Sequence, residues 1–378
     1  MVLSAANGIK EFLQDSIFAR IPYLAEFLSS LVDLLSGPLT GFRTAHYWPY
    51  IAGSLLVAAI VFFLQKNRDA GRGLSGFLRF CFPKSIWSHP STLLDIKIKI
   101  ANNFLGPFYN FTWRLNGVFF TGVILSGLLW TFGPQAPLFD WNTTTLVVFT
   151  VLFAVMEDLG FYAFHLASHK IPMLWAFHKV HHSAEVLTPL TATRAHPLEL
   201  VLTAPCRAVP AALAMAPAIY LSGHQPTLVE VLGISLAAAF FAAIGNQLLH
   251  SHLWISWGPA LERVITSPAQ HQIHHSRAPH HFDRNFGGVF SLWDWMFGTL
   301  YLARHREQIT FGVHGETQPH PGLLAAYLVP FRDALPYRHA LSQIGLAAVT
   351  TRFRRLSATM HYGIPWLRFL RLPSGGSR

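Results

Sequence analysis

Five apolar runs, residues 47–64, 115–132, 145–165, 198–221 and 228–250, each approach the roughly 20 residues that a helix needs to cross a bilayer. In hydrocarbon every backbone N–H and C=O must be satisfied within its own segment, so runs of this length restrict the fold class to an all-α polytopic membrane protein. About four to five transmembrane helices are expected. Composition agrees: hydrophobic residues make up 52% of the 378 and charged residues 12%, against about 25% charged in ordinary soluble domains. Too few charges remain to clothe a globule. A sixth run, residues 21–39, is broken by Glu26, Asp33 and the Gly37-Pro38 pair and reads as an interfacial helix. Residues 1–14 lack the basic start and apolar centre of a signal peptide.

Charge sets the expected topology. The links 133–142 and 222–227 contain no Lys or Arg, whereas the link after the first run carries Lys66, Arg68, Arg72, Lys84, Lys97 and Lys99. Basic loops stay in the cytoplasm, which places residues 66–99, 170–194 and everything after 250 on that side. The net charge of +10 is spread along the flanks of the apolar runs rather than gathered with aromatics into a basic domain, so no nucleic-acid partner is expected. Cys81 and Cys206 form no CxxC pair and give neither a disulfide framework nor a thiolate metal site.

The chain holds 21 histidines, and those that cluster fall on the cytoplasmic side. In "EDLGFYAFHLASH" a helix would align Asp158, Tyr162, His165 and His169 as one stripe. The H-x-x-x-H spacing lets two imidazoles on successive turns converge on one ion. Asp158 is an acid near the end of an apolar run, which makes it a candidate acceptor for the N–H of a metal-binding imidazole, with Tyr162 beside it. Taken alone, the stripe reads equally well as the polar end of a helix. "HKVHH" adds His178, His181 and His182 at the offsets i, i+3 and i+4 that share a helix face, and "HQIHH" repeats the pattern in His271, His274 and His275. Eight imidazoles on one membrane face are enough to surround two metal ions. His250, where the fifth run should surface, is the candidate for a ninth ligand, and His252 cannot share its helical face. His196, just ahead of Pro197, fits either a supporting place beside the ligands or a helix start. His280 and His281 read as a solvated loop. Phe161, Tyr162, Trp175, Phe177 and Trp254 lie near the boxes, lining either a lipid tunnel or the core. Imidazole suits zinc, copper, iron and nickel alike, and no H-E-x-x-H suggests a zinc hydrolase.

The order His165-x-x-x-His169, His178-x-x-His181-His182 and His271-x-x-His274-His275, followed by "DRNFGGVFSLWDWMFGTLY", resembles the fatty acid hydroxylase/sterol desaturase superfamily over about residues 143–302. These are integral-membrane non-haem di-iron oxygenases. The resemblance implies a transmembrane helical base with a cytoplasmic histidine-rich cap holding two Fe ions, and O2-dependent hydroxylation or desaturation of a lipid. It implies the eight box histidines as iron ligands, and no catalytic residue beyond the metal ligands. Asp283, Asn285, Phe286 and Gly287, then Trp293, Asp294, Phe297, Gly298 and Thr299, match the family pattern after the third box. They are expected to buttress it, with Asp283, Asn285 and Asp294 supporting the ligands rather than touching metal. The expected organisation is an N-terminal membrane-associated region (1–110), a catalytic domain (111–310) and a cytoplasmic extension (311–378).

The expected partners are a sterol-like or fatty-acyl substrate from the bilayer and a separate electron donor: a cytochrome b5-like protein, a ferredoxin or a reductase. "HPGLL" at His320 lacks the second glycine and acidic surroundings of a haem-binding cytochrome b5 motif. The second box leans toward sterol desaturase-type members. A competing interpretation is a polytopic metal-binding or transport protein without oxygenase activity, whose ligands should lie near the bilayer midplane on broken helices.

Overall fold

A computed structural model describes residues 48–64, 71–226, 230, 231, 234, 235, 240 and 246–343. Trp48–Leu64 (α1) is the first apolar helix, followed by Gly73–Cys81 (α2) and Lys84–Trp87 (α3). Pro90–Phe132 (α4) runs for 43 residues, so the expected run 115–132 is only its C-terminal part. Thr143–Lys170 (α5) leads directly into Pro172–His182 (α6), and Pro197–Ser222 (α7) follows a 3-10 turn at Pro189–Thr193. Pro268–His274 (α8), Leu292–Phe297 (α9) and Leu323–Gln343 (α10) complete the order.

Helices α5 and α7 are long and apolar enough to cross a membrane; α1 and the Asn116–Phe132 part of α4 are shorter apolar helices. The run 228–250 lies largely outside the described residues. Within it, Glu230–Val231 pairs antiparallel with Ile234–Ser235, and Asn246–Leu248 is a 3-10 turn. The run at 21–39 and the tail beyond 343 also lie outside the described residues.

Local chemistry explains where the elements start. Asn142 and Thr145 form a reciprocal capping box at the head of α5, each side chain accepting from the other's backbone N–H at 3.1 and 2.9 Å. Pro172, in the first turn of α6, needs no N–H partner there and lets the chain turn sharply after Ile171. Ser267 and Gln270 build a second capping box on α8. Helix α7 packs against both α4 and α5. A Cβ on Gly160 would stand 2.3 Å from the Cys206 carbonyl oxygen, so this glycine lets α5 and α7 meet backbone to backbone.

The region around α6 is held by charge as well as by packing. Buried Arg194 donates from Nη1 to Asp95 Oδ1 at 2.8 Å and from Nε to the Val180 carbonyl at 3.0 Å, and Thr191 donates to Asp95 Oδ2 at 2.7 Å. The 3-10 turn is thereby tied to α4 and α6. On the far side Lys179 reaches Asp333 of α10 at 2.7 Å and Glu316 at 3.2 Å.

Candidate metal centre

Helices α5, α6 and α8, with the turn after Asn246–Leu248 that carries His250, bring nine histidines together in two groups. His165, His169, His178, His182 and His274 form one, and His181, His250, His271 and His275 the other; within each, the candidate ligand nitrogens all lie within 4.8 Å of one another. All eight box histidines and the ninth candidate, His250, are included. The H-x-x-H-H motif is divided between the groups. In α6 the i and i+4 residues, His178 and His182, serve the first group and His181 the second. In the third box the assignment reverses: His271 and His275 serve the second and His274 the first. Each motif thus spans both sites, because a step of three residues rather than four turns the side chain to a neighbouring position on the helix.

The tautomers follow from the partners. His165 Nδ1 stands 2.7 Å from the Phe286 carbonyl oxygen and His274 Nδ1 2.8 Å from that of Arg284. A carbonyl only accepts, so each Nδ1 carries the hydrogen and each Nε2 presents a lone pair. His178 Nδ1 donates to Glu199 Oε1 at 2.6 Å and His181 Nδ1 to the Arg194 carbonyl at 3.3 Å. The Nε2 atoms of His165, His169, His178, His182 and His274 are all buried without a hydrogen-bond partner. Five buried polar atoms left unpaired together are costly unless a cation satisfies them.

In the second group the Nε2 atoms of His250 and His271 are 2.8 Å apart, with His181 to His250 and His271 to His275 each 3.1 Å. Ligands about 2.1 Å from one ion stand roughly 3.0 to 3.4 Å from each other, so this spacing suits a shared metal. Burial is the largest cause that pushes His250 and His274 down to about 3. It also holds His181, His182, His271 and His275 well below the usual imidazole range, with neighbouring imidazoles adding to the effect. The neutral form maintained in this way is the form that ligates metal.

The supporting residues differ from expectation in several places. Asp158 accepts no ligand N–H. It receives the Val289 and Phe290 backbone N–H groups at 3.0 and 3.1 Å and the Trp293 indole at 3.1 Å, so it fastens the loop after the third box to α5. Asp294 accepts from Phe286 N at 2.8 Å, Gly287 N at 2.7 Å and Thr299 Oγ1 at 2.6 Å. Burial pushes its carboxyl up to about 6 against these hydrogen bonds. Asn285 donates to the Gln270 carbonyl and accepts from Tyr301 N, joining the loop to α8. Tyr162 touches no ligand and hydrogen-bonds Thr299 Oγ1 at 3.1 Å. Asp283 is partly exposed and pairs with Lys170. His196 is a helix start: its Nδ1 accepts from Leu198 N at 3.0 Å, and its Nε2 donates to the Tyr327 carbonyl. His281 is not solvated; it is 3% exposed and bonds Glu307 at 2.9 Å.

Four groups that orient the rings are not among the expected supporting residues: Glu199 and the carbonyls of Phe286, Arg284 and Arg194. Glu199 carried the same signal as Asp158, an acid at the membrane end of an apolar run. The carbonyls carried no direct side-chain signal, although Asp283 and Asn285 adopt positive φ of 61° and 58°, a conformation that Asp and Asn tolerate better than most residues. A cavity of about 420 Å3 opens onto the first group, lined by His169, His182, His274 and Trp175 together with Arg277 and Glu316. Of the other expected tunnel aromatics, Phe177 packs on His196 and Phe331, and Trp254 belongs to a core with Ala269 and Ile273.

Residues 150–299, which include all nine histidines, match the fatty acid hydroxylase family. The chain is 30% identical to an alkylglycerol monooxygenase of Caenorhabditis elegans over 173 residues, 46% of this chain and 30% of that protein. It is 27% identical to the ornithine lipid hydroxylase OlsE of Rhizobium tropici over 181 residues, 48% of this chain and 50% of that protein. It is 32% identical to a very-long-chain aldehyde decarbonylase of Oryza sativa subsp. japonica over 168 residues, 42% of this chain and 25% of that protein. The chain therefore spans half or less of the length of these relatives. No solved structure matches.

Proposed function

We propose that the chain, whose residues 150–299 match the fatty acid hydroxylase family, is a membrane-bound, O2-dependent oxidoreductase that hydroxylates a lipid, using two iron ions held by the nine histidines. The observation that carries this reading is the set of five buried, unpartnered Nε2 atoms beside a second group of four imidazoles. When bound, the iron pair supplies the redox chemistry for O2 activation and C–H oxidation that no side chain can provide.

The chain's own part is to hold and shield. Glu199 and the Phe286, Arg284 and Arg194 carbonyls keep the Nδ1 hydrogens of His178, His165, His274 and His181 in place, so their Nε2 lone pairs point inward. Asp158 and Asp294 fix the loop that supplies two of those carbonyls. Seven of the nine histidines are buried and His169 and His250 are partly so, which limits the access of bulk water to the reacting centre. The lipid enters from the bilayer, electrons come from a separate donor, and the histidines face the cytoplasm. The relatives' names supply the first compounds to try: ether lipids with a glycerol head and ornithine lipids, each an alkyl or acyl chain on a polar group. Hydroxylation is preferred to desaturation because two of these three relatives are named for adding oxygen.

The test is anaerobic loading of the purified protein with ferrous iron, followed by iron quantification, then O2 uptake on addition of those lipids with NADPH, a reductase and a ferredoxin as the electron source, and mass spectrometry of the products. Two irons per chain, lipid-dependent uptake and a product one oxygen heavier are expected. Two-iron protein that consumes no O2 with any lipid, or that moves metal across vesicles instead, would overturn the proposal.

A further inference from the structure

A second cavity, of about 240 Å3, stands away from the polar one, between α1 and the segments that lead into the four-histidine group. Its walls are almost wholly apolar, with Leu55 and Ala58 from α1, Cys81 and Trp87 from around α2 and α3, and Leu190 and Leu248 opposite. A cavity lined in this way offers water too few partners to hold it in place.

Three observations point to an occupant. Ser54, on the α1 wall, has a buried hydroxyl with no hydrogen-bond partner. Leu248 and Ser251, both in the wall, flank His250, while Thr193, also in the wall, precedes Arg194, whose carbonyl receives the His181 N–H. The cavity therefore abuts the segments that carry two ligands of the second group. The outer face of α1 is also apolar and bare, with Phe63 72% and Leu64 76% exposed, as for a helix lying against lipid. The cavity thus lies between a lipid-facing helix and the metal-binding segments.

We propose that this cavity holds the hydrocarbon chain of the lipid substrate, with Ser54 Oγ placed to meet the ether, ester or hydroxyl oxygen at the head of that chain, and that α1 limits the chain length accepted. Helix α1 lies outside residues 150–299, so the family match assigns it no role. The proposal rests on the lipid-oxidation reading above but is tested by a separate readout.

Iron-loaded protein in lipid nanodiscs is photolysed with a long-chain fatty alcohol bearing a terminal diazirine, and the labelled peptides are mapped. Labelling is expected on residues 189–193 and 247–253, which do not share the exposed face of α1. Ala58→Phe, and independently Leu190→Trp from the opposite wall, fill the cavity; each should lower that labelling about tenfold, equivalent to about 1.4 kcal/mol of binding. Labelling at exposed Trp130 serves as the internal control, and retained iron reports that the variant is folded. Among products from a total lipid extract, Ala58→Phe should shift the profile to shorter chains. Absence of labelling at both segments, or labelling unchanged in both variants, overturns the cavity assignment even where wild type oxidises lipid. Cavity labelling in a protein that oxidises nothing would instead leave a lipid site and overturn the functional reading.

Discussion

At the scale of single residues, the orientation of an imidazole depends on the acceptor that meets its Nδ1. Histidine spacing is a side-chain pattern, so the i, i+3 and i+4 offsets could be read directly. The acceptors that orient the rings are mainly backbone carbonyls brought in by a loop more than a hundred residues away from His165, and no local pattern encodes that approach. Glu199 is the exception, since it acts through its side chain. Glu199→Ala leaves the His178 Nδ1–H without its carboxylate partner at 2.6 Å. Loss of such a supporting partner costs about 10- to 100-fold in metal affinity. Glu199→Gln keeps an amide oxygen able to accept the same hydrogen and should recover part of that loss. Iron-binding titrations of the three proteins check the order; equal affinities would show that His178 is oriented by its packing alone.

Secondary structure elements divide the work differently from the motifs. Reading the second and third boxes as two clamps treats each helix as belonging to one ion, whereas α6 and α8 each serve both groups. His181→Ala removes one of four ligands and is expected to lower bound iron from two per chain toward one. His182→Ala removes one of five and should leave both ions bound, more weakly; elemental analysis after desalting separates the outcomes. The apolar runs of α5 and α7 were legible within a few residues because length and hydropathy determine them. The full extent of α4 was not, since its first half is held by tertiary contacts rather than apolar continuity. Asp95 in that half is one such contact: burial raises its pKa while Arg194, the main opposing influence, lowers it. Asp95→Asn strands the guanidinium of Arg194 in the interior, and breaking a buried pair from one side costs about 3–5 kcal/mol. A lower thermal midpoint in detergent is expected, while Asp283→Asn at the partly exposed Lys170 pair should change it little.

For the whole molecule, concentrating imidazoles in a largely buried layer makes stability depend on pH in one direction, through six of the rings. His250 and His274 have folded values of about 3 against 6.5 in the unfolded chain, and His181, His182, His271 and His275 are lowered as well. Above pH 6.5 both states are neutral at these rings and their protonation does not bias folding. Between 6.5 and about 3 the unfolded chain binds protons that the folded one refuses, so stability is lost as pH falls, by up to about 1.4 kcal/mol per pH unit for each ring. Bound metal steepens the contrast, because it also binds only the neutral ligands and adds its own binding free energy to the folded state. Chelator-treated protein should therefore show a thermal midpoint that is flat from pH 8 to 7 and falls steeply from 6.5 to 5. Iron-loaded protein should keep a higher midpoint through the same range until the ions are released. If the chelated protein is as stable at pH 5 as at pH 7.5, the rings are not held neutral by burial, and the layer is open to solvent without its metal.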